Sequence, residues 1–186
     1  MSSFHVISPY SQTTLATIEH PSFDQTLSQL TILQSGLSTQ QNLGISKRIA
    51  ILNKLINLLK TNLDDFALLI TNEMGKPISE SYAEMQRAII TLQSTIVDIQ
   101  AIRGEAINSN IYGIPSNKIG IVQHFPLGII LCITPFNFPI NLAIHKLAPG
   151  FAAGNCLLFK PSPKTYLSAK KLVECCYEAG IPEDCL

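Results

Sequence analysis

The chain has 186 residues, enough for one core or for a small domain with part of a second one. Its 13 basic and 13 acidic side chains give a formal net charge of zero, and the absence of any basic cluster argues against binding to nucleic acid or anionic membranes. No apolar run approaches the roughly 18 residues of a membrane span and the N-terminus lacks the pattern of a signal peptide, so we expect a cytoplasmic protein whose partner is a small molecule or another protein.

The first predicted elements are a strand pair and a helix. Val6 to Ile18 contains two short extended runs around a turn-rich centre, which is typical of a surface hairpin. Ser22 and Gln25 have the spacing of a capping box, so a helix is predicted to begin there. Its apolar residues recur on one face, and we expect Gly36 to end it.

Three further helices follow in the predicted helical layer. Ile45 to Lys60 carries apolar residues at steps of three and four, and another helix is predicted to start with Asn62 as its N-cap and to end at Gly75. The longest periodic pattern runs from Ile78 to Ile99. Its apolar stripe could form a coiled-coil seam, but the neighbouring helices carry stripes of their own, which favours packing within one layer.

After Gly104 the pattern changes to short extended runs separated by glycine and proline, which predicts a β-ribbon of antiparallel strands. The residues that separate these runs are Gly113, Pro115, Gly120, Pro126 and Gly128. The chain then alternates between strand and helix, with predicted elements at Ile129–Ile133, Ile140–Ala153, Cys156–Lys160 and Tyr166–Ala179. This βαβα order is typical of a parallel sheet.

The expected fold is therefore α/β, with an N-terminal helical layer and β-ribbon followed by the first βαβα half of a Rossmann-like parallel sheet. We expect residues 1–125 to form the helical layer with its extended strands, and residues 126–186 to form an incomplete sheet domain. Both strands of that sheet are apolar along their length. They therefore need further neighbouring strands, and exposed edges would favour aggregation.

Five cysteines lie in the last third of the chain, at Cys132, Cys156, Cys175, Cys176 and Cys185. Their number is odd, they form no C-x-x-C pair, and no histidine stands at metal-ligand spacing, so we expect reduced thiols and no metal site. Cys132 and Cys156 lie in apolar strands, where a thiol behaves as a small hydrophobic side chain rather than as a nucleophile.

Ligands of an open parallel sheet bind beyond the carboxyl ends of its strands, so the loops after Ile133 and Phe159 are the candidate binding segments. In the first loop two prolines stiffen the backbone around Asn137, whose amide could stabilise an oxyanion or could instead cap the following helix or make an Asx turn. In the second loop Lys160 could bind a ribose or a phosphate, or could extend its amine into solvent. The residues alone leave both pairs of alternatives open.

Several segments together resemble the aldehyde dehydrogenase superfamily. They are Glu73-Met74-Gly75-Lys76-Pro77, Pro126-Leu127-Gly128, Ile133-Thr134-Pro135-Phe136-Asn137-Phe138-Pro139, His145-Lys146-Leu147-Ala148-Pro149, Ala152-Ala153-Gly154-Asn155 and Lys160-Pro161-Ser162. These segments match the family in order and spacing and cover nearly the whole chain. The resemblance implies NAD or NADP as cofactor, an aldehyde as substrate and a carboxylic acid as product.

The resemblance also implies roles for individual residues. Asn137 corresponds to the side-chain donor of the oxyanion hole, which stabilises the thiohemiacetal formed by a catalytic cysteine. Lys160 corresponds to the contact with the adenosine ribose. The other residues expected at the cofactor site are Ile133, Thr134, Pro135, Phe136, Ser162 and Pro163.

Pro163 departs from the pattern of strictly NAD-dependent relatives, many of which carry an acidic residue three positions after the lysine. An acid there binds the ribose hydroxyls and would repel a 2′-phosphate, whereas proline does not. We therefore hypothesise that NADP is tolerated as well as NAD.

The family's catalytic cysteine, general-base glutamate and glycine-rich pyrophosphate loop have no counterpart in these residues. By resemblance, residues 1–125 carry oligomerisation-type strands and residues 126–186 form the first half of a dinucleotide-binding domain. We interpret the chain as an N-terminal portion that is inactive alone and that belongs to a homo-oligomer when full length. The alternative is a non-catalytic interaction protein that associates with a full-length relative.

Overall fold

A computed structural model describes residues 3–107 and 119–186. The elements run in the order β1 (Ser3–Ile7), β2 (Thr14–Glu19), α1 (Phe23–Thr61), α2 (Leu63–Met74), α3 (Ile78–Ala101), β3 (Glu105–Ile107), β4 (Gly120–Val122), β5 (Ile129–Ile133), α4 (Pro139–Ala152), β6 (Cys156–Lys160) and α5 (Tyr166–Ala179). Single 3₁₀ turns lie at Pro163–Thr165 and Glu183–Cys185. This order confirms the predicted helical layer followed by a βαβα unit. The predicted breaks at Gly113 and Pro115 lie outside the described residues.

The strands within the described ranges form three pairs. β1 and β2 are antiparallel and form the predicted hairpin, and β3 and β4 are antiparallel with Glu105 opposite Val122. β5 and β6 are parallel, and their last residues, Ile133 and Lys160, stand opposite each other. Because α4 connects these two strands, the parallel pair confirms the predicted crossover unit.

Gly36 does not end the first helix, and that prediction is wrong. α1 begins at the predicted capping box and continues to Thr61, with its one non-helical residue at Gly44, where φ is 69° and ψ is 157°. Gly36 is buried within the helix because another part of the chain passes close to it. A Cβ built on Gly36 would lie 1.8 Å from the carbonyl oxygen of Asp184. A tertiary contact, and not a helix stop, therefore requires glycine at this position.

The junction between α1 and α2 also differs from the prediction. Asn62 precedes α2 as expected, but its side-chain amide donates to the Leu58 carbonyl, 2.9 Å away in the last turn of α1. α2 therefore has no side-chain cap. Asp64 and Asp65 in its first turn still stabilise the positive end of the helix. Gly75 ends α2 as predicted, in the left-handed region with φ of 70°.

α3 packs its apolar stripe inside this chain. Met85, Ala88 and Leu92 are fully buried on the face that meets the neighbouring helices. They belong to one continuous core that also contains Ile144 and Phe151 of α4. Packing within the layer is therefore confirmed over the coiled-coil alternative. None of the helices in the described residues is both long and apolar enough to cross a membrane.

Gly36→Ala is expected to lower the free energy of unfolding by about 3 kcal/mol, since the added methyl group must displace the backbone of the Glu183–Cys185 turn. Urea denaturation followed by circular dichroism measures the change. The same substitution at an exposed helical glycine would instead stabilise the helix by roughly 1 kcal/mol.

Ser35→Ala is the matched control, because Ser35 is the preceding residue of the same helix and is exposed. We expect its stability to stay within about 0.5 kcal/mol of the wild type. A Gly36→Ala chain as stable as Ser35→Ala would contradict the close contact with Asp184.

Candidate functional site

The carboxyl ends of β5 and β6 bring the two predicted ligand loops together. Ile133 and Lys160 are partners in the parallel register, and the amide of Thr134 donates to the Lys160 carbonyl at 3.2 Å. Residues 133–137 and 160–163 therefore lie along one edge of the sheet, which we call the strand-end edge. This is the position at which ligands bind in open α/β sheets.

Most of the residues predicted for cofactor binding are accessible at the strand-end edge. Thr134 is the exception, with 5% of its surface exposed, so it meets the edge mainly through its backbone. Ser162 is half-buried, and its hydroxyl oxygen accepts from the Lys164 amide at 3.3 Å. The exposed members are Ile133, Pro135, Phe136, Lys160 and Pro163.

A cation–π contact joins the two loops of the strand-end edge. The Lys164 amine lies 4.4 Å from the centre of the Phe136 ring. Lys160 is left without an ion pair among the residues that the structure describes. Lys164 was not predicted as a site residue, because the contact depends on two loops that are distant in sequence. The edge thus presents the Lys160 amine beside an exposed apolar surface.

Asn137 does not cap the helix that follows it. The N-cap of α4 is Phe138, which makes no side-chain capping bond, and Pro139 occupies the first turn. The amides of Ile140 and Asn141 instead donate to Oε1 of Glu84, at 2.9 and 3.2 Å. Because a carboxylate from α3 satisfies these donors, the exposed Asn137 side chain is not needed as a cap.

Lys76 connects Glu84 to the Asn137 loop. Its amine forms an ion pair with Oε2 of the fully buried Glu84. The same amine lies 3.4 Å from the Asn137 carbonyl and 4.9 Å from the centre of the Phe138 ring. Lys76 lies within the Glu73–Pro77 segment that resembles the family, but no role was predicted for it. A charged residue directly after a helix stop was the signal in the sequence that could have indicated a role for Lys76.

Glu73 makes the equivalent contact with α5. Its carboxylate accepts from the amides of Leu167 and Ser168, at 2.7 and 2.8 Å, and from the Ser168 hydroxyl. Burial raises the pKa of Glu73 above its ordinary value, and these hydrogen bonds oppose the rise without cancelling it. Glu73 therefore holds the start of the helix that follows the Lys160 loop.

All five cysteines are free and buried, and burial was predicted for Cys132 and Cys156. Burial raises the pKa of each thiol, most strongly for Cys176 and Cys185. A thiol with a raised pKa is protonated at neutral pH and is a weak nucleophile. In the described part of the chain there is also no group of three histidine, cysteine or acidic side chains that could hold a metal ion.

A model of the aldehyde dehydrogenase family matches residues 1–186. The chain belongs to this family. The match confirms the resemblance found in the sequence motifs, and the observed helical layer with its parallel strand pair corresponds to the N-terminal part of the aldehyde dehydrogenase fold.

Two curated relatives act on sulfonated aldehydes, according to their names. The chain is 43% identical to the sulfoacetaldehyde dehydrogenase of Neptuniibacter caesariensis over 99% of its own length and 40% of the relative. It is 39% identical to the 3-sulfolactaldehyde dehydrogenase of Priestia aryabhattai over 74% of its length and 29% of the relative. The chain thus spans less than half the length of these relatives.

Solved structures of aldehyde dehydrogenases also match the fold of the chain. The NADP-dependent glyceraldehyde-3-phosphate dehydrogenase of Bacillus halodurans C-125, solved in complex with NADP, matches with a TM-score of 0.94 and 29% identity. The match covers 98% of this chain and 39% of that chain. The succinate-semialdehyde dehydrogenase of Burkholderia pseudomallei matches with a TM-score of 0.94 and 28% identity, over 100% and 38% of the respective chains.

The contribution of Glu73 to stability is expected to decrease as pH rises from the ordinary carboxyl pKa of about 4 through the raised pKa in the folded chain. In this window the folded chain holds more protons than the unfolded chain, so acid favours folding. Glu73→Gln removes this titration. The stability of the wild type relative to the variant is therefore largest at low pH and shrinks towards neutral pH.

Urea titrations of both chains at about pH 4, 5, 6 and 7 measure this difference. Glu183→Gln, which removes an exposed carboxyl, serves as the control for the loss of one surface charge. A stability difference between wild type and Glu73→Gln that grows with pH would show that the hydrogen bonds outweigh burial.

Proposed function

We propose that this chain forms the front portion of an NAD(P)-dependent aldehyde dehydrogenase, and that it contributes the oxyanion donor and the ribose contact. The observation that carries the proposal is the freedom of Asn137 at the strand-end edge. Glu84 satisfies the first amides of α4, so the Asn137 amide remains available to a ligand. Membership of the family supports the same activity.

The proposed role of Asn137 is to donate a hydrogen bond to the aldehyde oxygen as negative charge develops on it. Its backbone is held between two prolines and by the contact of its carbonyl with Lys76. A donor fixed in advance stabilises the transition state without reorganisation at the moment of reaction, and removing one such donor typically costs about 3 kcal/mol.

The strand-end edge fits a dinucleotide. Lys160 can donate to ribose hydroxyls from the end of β6, and the free hydroxyl proton of Ser162 can add a second hydrogen bond. The exposed apolar side chains of Ile133 and Phe136 can cover the face of the bound group. The nicotinamide, when bound, supplies the hydride acceptor. Pro163 adds no negative charge beside the ribose, which favours tolerance of a 2′-phosphate.

The β3–β4 ribbon is the proposed oligomer contact. Ile107 and Ile121 expose large apolar side chains on this ribbon, as does Phe125 just after it. Exposed apolar strands of this kind commonly mark a surface that another chain covers.

The coding sequence beyond Leu186 tests whether the chain is the front portion of a longer enzyme. We expect the reading frame to continue through a segment that encodes a catalytic cysteine and a general-base glutamate. An immediate stop codon in an intact, expressed gene would overturn this proposal and support the non-catalytic interaction protein instead.

In the complete enzyme, Asn137→Ala is expected to lower kcat by about a hundredfold to a thousandfold. The KM for the cofactor should stay nearly unchanged, because Asn137 is proposed to act on the aldehyde oxygen. NAD(P)H absorbance with a panel of aldehydes that includes sulfoacetaldehyde measures the rates.

Asn53→Ala is the matched control, since Asn53 is an exposed asparagine on α1 that bonds only its own helix. The isolated 186 residues serve as the blank and are expected to produce no NAD(P)H. An Asn137→Ala enzyme with the kcat of Asn53→Ala would contradict the proposed donor.

Pro163→Glu is expected to lower kcat/KM for NADP relative to NAD by about tenfold or more, because the new carboxylate repels the 2′-phosphate. Pro163 is exposed at the start of a single 3₁₀ turn, so the substitution leaves the fold intact. The measurement compares both cofactors at a saturating aldehyde concentration.

Gln29→Glu introduces the same charge at an exposed position of α1 and controls for a general electrostatic effect. If both variants retain the wild-type ratio of kcat/KM for the two cofactors, Pro163 has no part in cofactor selection.

A further inference from the structure

Lys76 and Glu84 form an ion pair at a buried position, where a charge is energetically unfavourable. Glu84 has no exposed surface and only 15% of the Lys76 side chain is exposed. Removing two charges from water carries a large desolvation penalty, which is repaid only when their remaining polar atoms also find partners. Here both oxygens of Glu84 are used, Oε1 by two backbone amides and Oε2 by the lysine.

The pair contacts the Asn137 loop where it leads into α4. Lys76 reaches the Asn137 carbonyl at 3.4 Å and lies over the Phe138 ring. Glu84 binds the amides of Ile140 and Asn141 in the first turn of α4. The backbone from the Asn137 carbonyl to the first turn of α4 is therefore attached to a buried carboxylate from α3 and to its lysine partner just beyond α2.

We propose that Lys76 and Glu84 are positioning residues that hold the side-chain amide of Asn137 in the direction of the reacting aldehyde oxygen. This inference rests on the proposed function, because it assigns a purpose to the same amide. The side chain of Asn137 is exposed, so the packing of neighbouring side chains does not fix it. Its direction depends on its backbone, and an oxyanion donor displaced by about 1 Å can lose roughly a hundredfold in rate.

A second lysine–carboxylate pair supplies a matched control. Lys171 of α5 binds Asp65 of α2 at 2.8 Å, but 70% of the Asp65 side chain is exposed. This pair makes no contact with the Asn137 loop among the described hydrogen bonds. Lys171→Met therefore removes an ion pair of the same chemistry without disturbing the loop.

A double-mutant cycle in the complete enzyme tests the inference. Lys76→Met is expected to lower kcat by about tenfold to a hundredfold, with the cofactor KM within about twofold of the wild type. Lys76→Arg, which keeps a cation beside Glu84, should recover most of the loss. In Lys76→Met/Asn137→Ala, kcat should equal that of Asn137→Ala alone, since a positioning residue has nothing left to position.

Hydrogen exchange provides a readout that does not depend on activity. We expect the amides of residues 137, 138, 140 and 141 to exchange at least about tenfold faster in Lys76→Met and in Glu84→Gln than in Lys171→Met. Glu84→Gln keeps one acceptor oxygen, so it serves as the second variant if Lys76→Met folds poorly.

The results that would contradict the inference lead to different conclusions. If the kcat losses of Lys76→Met and Asn137→Ala multiply in the double variant, the pair acts independently of Asn137 and the inference is overturned. Faster exchange with unchanged kcat, in an enzyme that does need Asn137, overturns it as well and leaves the pair a structural role. An unchanged kcat in Asn137→Ala overturns the proposed function itself, and the inference with it.

Discussion

Two buried carboxylates join the parallel βαβα unit to the helical layer. Glu73 at the end of α2 accepts hydrogen bonds from the first turn of α5, and Glu84 in α3 does the same for α4. Each carboxylate meets the positive end of a helix, which partly offsets the cost of burying it. Each set of bonds joins one helix of the layer to one helix of the βαβα unit, so together they fix how that unit sits on the layer.

These distant caps have a consequence for the loops that precede α4 and α5. A serine, threonine or aspartate at an N-cap usually turns its side chain onto the first amides of its own helix. In this chain the N-caps Phe138 and Thr165 make no such bond. The residues at the strand-end edge are thereby released from capping. The Asn137 side chain is free of this task while α4 behind it remains stable.

The sequence predicted most of what depends on local pattern. The capping box at Ser22 and the stripe of α3 were confirmed because both arise from residues a few positions apart. Gly36 was misread as a helix stop because the chain that crowds it comes from the far end of the sequence. The roles of Glu73 and Glu84 were missed for the same reason. Whether a carboxylate is solvated or caps a helix depends on long-range packing.

The corner between α2 and α3 shows why one short motif serves both loops of the strand-end edge. Glu73 lies in the last turn of α2 and bonds α5, whereas Lys76 lies just beyond the helix and meets the Asn137 loop. Gly75 allows this change of direction, since its φ of 70° ends the helix between the two side chains. Its missing Cβ also leaves room for Pro9, whose Cγ would be 2.8 Å away. The motif is therefore a bridge from the helical layer to both sides of the edge.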